Sequence, residues 1–332
     1  MALIGCGGSA AVLIKGAARL QHARFTAAAD GDRGAAKSAA ESLGAVTVAS
    51  SLDDLLRDHS ASFDAVAIAG PNSEHASLVR KAATAGKHVL VLAPLATTVA
   101  DADAAIDASR RAGVRLMVGH AERSVPMARA VKDAVAKGEL GSPGLVRIHR
   151  WIGSDHTGED WESDAAKSGG LALHKLGPDL DLFNWLFMGM PTNVYAVGRS
   201  LKGGKAIPDY VQVHLGFPDG GMAMLDLTTV LPPGDGYFSL SVIGSTGAAY
   251  ADDHHNTHLL YQGGRPRSVI SSVSDLHGTA MLNEFANAIR DGREPASAGA
   301  DSRAAILVAG AVAESLSTGQ ALRREGDGYV LA

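Results

Sequence analysis

Residues 5–10 limit what this chain can fold into more than any other stretch. Ala2-Leu3-Ile4 is a short apolar run, Gly5-Cys6-Gly7-Gly8-Ser9-Ala10 follows at once, and Ala11-Val12-Leu13-Ile14 reads as the start of a helix. A strand that turns through glycines into a helix is the context of a G-x-G-x-x-G/A dinucleotide turn. Gly5 allows the tight turn, Gly7 lets backbone N–H groups approach a pyrophosphate, and Ala10 is small enough for close helix–strand packing. Gly8 and Ser9 complete the turn, at a helix N-terminus that faces the anion. Glycines alone mark many turns. The second signal is Asp30, at the end of the strand-like run 24–29. An acid about 20 residues past the fingerprint is where a ribose 2′-hydroxyl partner belongs. NAD is therefore the expected cofactor, with NADP disfavoured and Arg33 placed to soften that preference.

Further on, helical periodicity over 35–43, a strand at 46–48, a short helix at 52–56 opened by Ser51 and an apolar strand at 64–69 follow in turn. A helix at 76–85 stopped by Gly86, a strand at 88–92, a helix at 99–112 and a strand at 114–118 complete the alternation. Near-continuous apolar strands separated by helices predict a parallel sheet covered on both faces. Ligands of such sheets bind beyond the carboxyl ends of the strands. The loops at 5–10, 70–75, 93–97 and 119–123 should therefore converge on one crevice.

Beyond residue 120 the pattern changes. A helix at 128–137 stops at Gly138, residues 145–152 alternate as a half-buried strand does, 154–168 is polar and irregular, and 171–188 is partly helical. Strand-like runs at 193–197, 210–217, 222–229, 238–243, 248–251 and 258–261 are joined by hairpin-like turns, and helices at 281–290 and 303–317 close the chain. The expected fold class is α/β: a Rossmann dinucleotide-binding domain over 1–120, then an α+β domain over 121–332 with a largely antiparallel open sheet. A chain of 332 residues is long enough for both cores.

A net charge of −5 without a long basic run argues against nucleic-acid and anionic-membrane partners. A single cysteine excludes an internal disulfide. Leu3-Ile4-Gly5-Cys6 looks like a lipoprotein cleavage site, but no basic region precedes it, and the expected location is the cytoplasm. The first strand is short, so the true start is left open. His254-His255-Asn256-Thr257-His258 lacks paired cysteines or an H-E-x-x-H helix and reads as a hairpin rim, so no metal is expected.

Several stretches together resemble the Gfo/Idh/MocA family, named after glucose–fructose oxidoreductase and inositol dehydrogenase. Gly70-Pro71-Asn72-Ser73-Glu74-His75 is similar to its T-P-N-x-x-H loop, and Ala85-Gly86-Lys87-His88-Val89-Leu90 to its A-G-K-H-V-L lead. Val118-Gly119-His120-Ala121-Glu122-Arg123, Gly138-Glu139-Leu140-Gly141 and Phe285-Ala286-Asn287-Ala288-Ile289-Arg290-Asp291-Gly292 continue the match in order. The resemblance covers essentially the whole chain. It implies an NAD(P)-dependent oxidoreductase acting on a sugar, cyclitol or related polyol, with the sheet of the second domain forming a homodimer or homotetramer interface. It also implies cofactor contacts from Pro71, Asn72, His75, Ala93 and Pro94.

Two departures bear on the chemistry. The family follows its V-L strand with C-E-K-P-L-A, whose lysine helps move the substrate proton; here Ala93 stands at that lysine. Its second signature resembles S-G-G-P-x-x-E-K-x-x-H-D-x-D-L-x-N-W, with a catalytic histidine. The stretch from Ser168 to Trp185 puts Pro178 at that histidine and His174 at the usual acid, while a gapped match puts Asp179 there instead.

Hydride transfer from an alcohol needs its hydroxyl proton removed. Ala93 and Pro178 cannot take it; His174 can, since an imidazole titrates near neutrality. Pro178 suits a helix start, with Gly177 before it and Asp179 in the first turn. The candidate catalytic residues are His174, Lys175 and His120. Candidates for binding substrate are Arg123, Asp155, His156, Trp161, Pro178 and Asp179, with Asp160 a further polar group. A second function class keeps the fold without the usual acid–base pair: a lyase, epimerase, glycosidase-like enzyme or catalytically silent binding protein.

Overall fold

The computed structural model describes residues 1–153, 159–200, 208–252, 257–261, 267–270 and 277–332. The first stretch alternates strands and helices: β1 (Ala2–Ile4), α1 (Ala11–Ala17), β2 (Ala27–Ala29), α2 (Arg33–Leu43), β3 (Thr47–Ala49), α3 (Leu52–Asp58), β4 (Ala65–Ile68), α4 (Asn72–Thr84), β5 (His88–Leu92), α5 (Val99–Ala112) and β6 (Leu116–Gly119). The six strands form one sheet in the order β3-β2-β1-β4-β5-β6, every neighbouring pair parallel. Side chains explain the helix starts. Asp32 accepts from Gly34 N at 2.7 Å, Ser51 from Asp54 N at 3.2 Å and Thr98 from Asp101 N at 3.1 Å, satisfying N–H groups the helices leave free.

The remainder runs α6 (Pro126–Ala136), β7 (Pro143–Gly153), α7 (Asp160–Ser163), α8 (Ala165–Ser168), α9 (Gly170–His174), α10 (Gly177–Phe187), β8 (Asn193–Arg199), β9 (Tyr210–Gly216), β10 (Met222–Leu231), β11 (Gly236–Gly244), β12 (Ala248–Asp252), β13 (Thr257–Tyr261), β14 (Arg267–Ile270), α11 (His277–Arg290), α12 (Gly299–Thr318), β15 (Leu322–Glu325) and β16 (Gly328–Leu331). Ten strands make a second sheet, ordered β14-β13-β12-β11-β7-β10-β9-β8-β15-β16. It is antiparallel except where β10 runs parallel to β7. The fold is thus α/β with a Rossmann sheet and a mixed, mostly antiparallel one.

The chain divides into two compact units. One comprises the described residues of Met1–Ser124, Gly158–His174 and Ser274–Ile306; the other, those of Val125–Thr157, Lys175–Val273 and Leu307–Ala332. Two later segments therefore return to the first unit after the chain has left it. In the first unit α11 packs on α1, and Leu3, Leu13, Phe25, Leu90 and Phe285 form the centre of the core. In the second, alternation sorts the strands. Val146, Ile148, Val213, Leu225, Leu240 and Val242 are buried on the face that α10 packs against at β7, while Trp151, Tyr210, Met222 and Ile243 are exposed. Among the described residues, no helix is long and apolar enough to cross a membrane, and no group of three or more His, Cys, Asp or Glu is placed to hold a metal ion. His254, His255 and Asn256 lie outside the described residues.

Candidate functional site

The candidate site of the first unit is built at the carboxyl ends of its strands. Gly5 follows β1 at φ +81°, and a Cβ there would lie 1.8 Å from the Ala69 carbonyl oxygen, so only glycine lets the β1 and β4 turns approach. Residues 8–10 form one 3₁₀ turn that runs into α1, with Ala10 fully buried beneath it. Asp30 follows β2. Its Oδ2 accepts from Cys6 N at 2.7 Å and its Oδ1 from Asp32 N at 2.8 Å, so the acid is fixed to the glycine turn. Burial, helped by the Asp30 charge, pushes the Cys6 thiol up to about 12 and keeps it protonated.

On the other side of β1, Pro71 caps α4 and Asn72 opens it. His75, one turn later, is buried between two loops: its Nδ1 donates to the Pro94 carbonyl at 2.7 Å, and its Nε2 lies 3.1 Å from the Gly70 carbonyl. Burial pushes this imidazole below its ordinary value, against the pull of the carbonyls. His75 thereby ties the loop after β4 to the cis Ala93–Pro94 turn after β5. Ala93 is half-buried and Pro94 buried. His120 and Arg123 follow β6 and are buried; Arg123 lies 3.4 Å from Asp301.

The returning segment brings its own side chains to these loops. The Asn72 side-chain nitrogen donates to the Ser168 carbonyl at 2.7 Å, which identifies it as the amide NH₂. The same nitrogen lies 3.3 Å from Nδ1 of His174 at the end of α9, so Nδ1 accepts and the ring proton is on Nε2. Nε2 in turn donates to Glu162 Oε2 at 3.1 Å. Trp161 packs its ring edge-on against His174, centroids 5.3 Å apart. Its indole N–H donates to Glu159 Oε2 at 3.0 Å. The Glu159 carboxylate also accepts from Gly8 N at 3.0 Å and Ser9 N at 3.3 Å. The site thus pairs a turn that holds an anion with a histidine backed by a carboxylate, a side chain whose chemistry suits taking one proton.

In the second unit, Lys175 is half-buried in the turn before α10, and Pro178 is the second residue of that helix. Asp179 is fully buried, its two oxygens accepting from Arg150 Nε and Nη2 at 2.6 Å each, with the guanidinium lying over the Phe238 ring. Asp155 and His156 lie outside the described residues. Glu159 and Glu162 were not singled out by sequence reasoning. Their E-x-x-E spacing is a helix-start pattern, and Glu162 Oε1 does accept from Glu159 N at 3.3 Å. Nothing local marks either as a partner of residues 8–9 or 174.

Comparison with known proteins gives a consistent result. Residues 1–120 match the model of an oxidoreductase family with an NAD-binding Rossmann fold, and residues 128–250 match the GFO/IDH/MocA C-terminal domain. The chain is 28% identical over 329 residues to the uncharacterized oxidoreductase YrbE of Bacillus subtilis, covering 96% of this chain and 94% of that one. It is 28% identical over 276 residues to a myo-inositol 2-dehydrogenase of Thermotoga maritima, covering 79% and 80%. The crystal structure of an oxidoreductase domain protein from Kribbella flavida superposes with a TM-score of 0.88 at 22% identity, covering 98% of each chain.

Proposed function

The chain belongs to the Gfo/Idh/MocA oxidoreductase family, and on that premise we propose that it oxidises or reduces a sugar, cyclitol or related polyol with NAD(H). The observation that carries this reading is the fingerprint turn, whose Gly8 and Ser9 N–H groups already hold a carboxylate beside an Asp30 fixed to the same turn. A phosphate needs the same donors. The shielded Ser9 hydroxyl has no partner among the described residues and is free to bind a phosphate oxygen. Each Asp30 oxygen accepts one backbone N–H and keeps a lone pair for a ribose diol, whereas a 2′-phosphate would meet its charge. Bound there, the nicotinamide supplies the hydride acceptor or donor.

The residues of this chain handle the proton. Ala93, at the position of the family's lysine, has no titratable group, and His174 takes the role. The contact between Asn72 and His174 Nδ1 is long at 3.3 Å, and a substrate hydroxyl that replaces it can pass its proton to Nδ1. The Glu162 carboxylate on Nε2 then stabilises the imidazolium. Nicotinamide reduction measured across a panel of sugars and inositols tests this. Turnover should be slow for ordinary polyols, and His174→Ala should lower kcat by about 10² to 10⁴. Fast turnover indifferent to His174→Ala would overturn the assignment.

A further inference from the structure

The turn that should receive the cofactor's phosphates is filled by the protein itself. Four N–H groups converge on one carboxylate: Gly8 N at 3.0 Å from Glu159 Oε1, Ser9 N at 3.3 Å and Trp161 Nε1 at 3.0 Å from Oε2, and Glu162 N, which completes the capping box of α7. A Cβ at Gly7 would lie 2.1 Å from Glu159 Oε1, so the carboxylate occupies the space that the missing side chain leaves open. That space is the one a G-x-G-x-x-G/A turn keeps for a pyrophosphate. Two anions cannot share the same donors at the same place.

We propose that Glu159 is an internal stand-in for the cofactor's phosphate, filling its seat and leaving when the dinucleotide binds. Glu159 therefore sets dinucleotide affinity; this rests on the reading of the turn as a dinucleotide site. Bonds from N–H groups to a carboxylate are charge-assisted and hold the seated state. Where only a fraction of molecules is competent to bind, apparent affinity falls by that fraction, so a seat open about one tenth of the time weakens binding about tenfold. Glu159 is also linked to the proton-transfer residue. Trp161, which bonds Glu159, packs against His174, and Glu162 accepts from both Glu159 N and His174 Nε2. Departure of the Glu159 carboxylate frees the indole N–H beside His174, so cofactor occupancy is felt where the proton is handled.

Calorimetric titration of the wild-type protein and Glu159→Gln with NADH, and with adenosine as a ligand that carries no phosphate, tests the inference. Glutamine keeps the size and loses the charge. NADH should bind Glu159→Gln about tenfold more tightly than wild type, while adenosine affinity stays the same. A gain shared equally by adenosine, or NADH affinity that is unchanged or weaker in a variant with the wild-type circular dichroism spectrum, overturns it. Glu159→Ser, which also removes the charge, must move in the same direction and serves if the glutamine variant does not fold. If neither wild type nor variants bind NADH, the dinucleotide reading fails and the inference falls with it. If wild type binds and the variants bind no tighter, only the role of Glu159 fails.

Discussion

Asp30 and Asp179 are both acids next to sequence signatures, yet their neighbours make them different groups. Asp30 is held by two backbone N–H groups and remains half-exposed, so it keeps acceptor capacity for a ligand. Asp179 gives both oxygens to Arg150 and is fully buried, so it serves the second unit as one half of an ion pair. Removing Asp179 takes both of these charge-assisted bonds from the Arg150 guanidinium and leaves a gap where the buried carboxylate lay. Asp179→Ala should therefore cost about 3 kcal/mol of stability, read as a lower denaturation midpoint; a midpoint within error of wild type would show that the pair contributes nothing. The sequence exposes both acids and Ala93 but not their partners. Arg150 is 29 positions from Asp179, and Asn72 is 102 positions from His174. Such pairings follow from the fold and leave no local mark. The same holds for Glu159, 151 positions from Gly8.

Elements were legible where local signals agree. The helix expected at 99–112 is α5 to the residue, because Thr98 caps its start and Gly113 ends it in the left-handed conformation. The short helix opened by Ser51 extends two residues beyond expectation, to Asp58. Pro178 lies in the first turn of α10 as the helix-start pattern predicts, one residue after the helix begins at Gly177. The polar stretch read as irregular contains α7 and α8, each a single turn. Periodicity cannot reveal a helix shorter than two turns. The closing hairpin of β15 and β16 was also not anticipated; Leu322-Arg323-Arg324-Glu325 has one apolar residue, and its place is set by pairing with β8. The approach of the loops after β1, β4 and β5, expected together with the one after β6, was readable from strand order, because parallel sheets put their ligand sites at one edge; the tie of the β1 loop to Asp30 after β2 comes from the structure.

At the scale of the whole molecule, the ten-stranded sheet has one face to cover. Pairing register puts Trp151, Tyr195, Tyr210, Met222, Ile243 and Tyr250 on the same side, and all are exposed. Polar groups lie among them, with Asp226 bonded to both Gln212 and His149, and six large exposed side chains gathered on one face suit an interaction surface. We infer a homo-oligomer through it: light scattering at micromolar concentration should give a multiple of 34.0 kDa, and Tyr210→Lys with Ile243→Glu should shift it toward the monomer. A monomeric wild type would contradict that assembly. The central claim concerns the other unit, where a glycine turn and a fixed acid are read as an NAD(H) site. Its most direct test is calorimetric titration of the wild-type protein and Asp30→Ala with NADH and NADPH. The account predicts that NADH binds more tightly to wild type and that Asp30→Ala removes the preference. Tighter binding of NADPH, or of neither nucleotide, would contradict it.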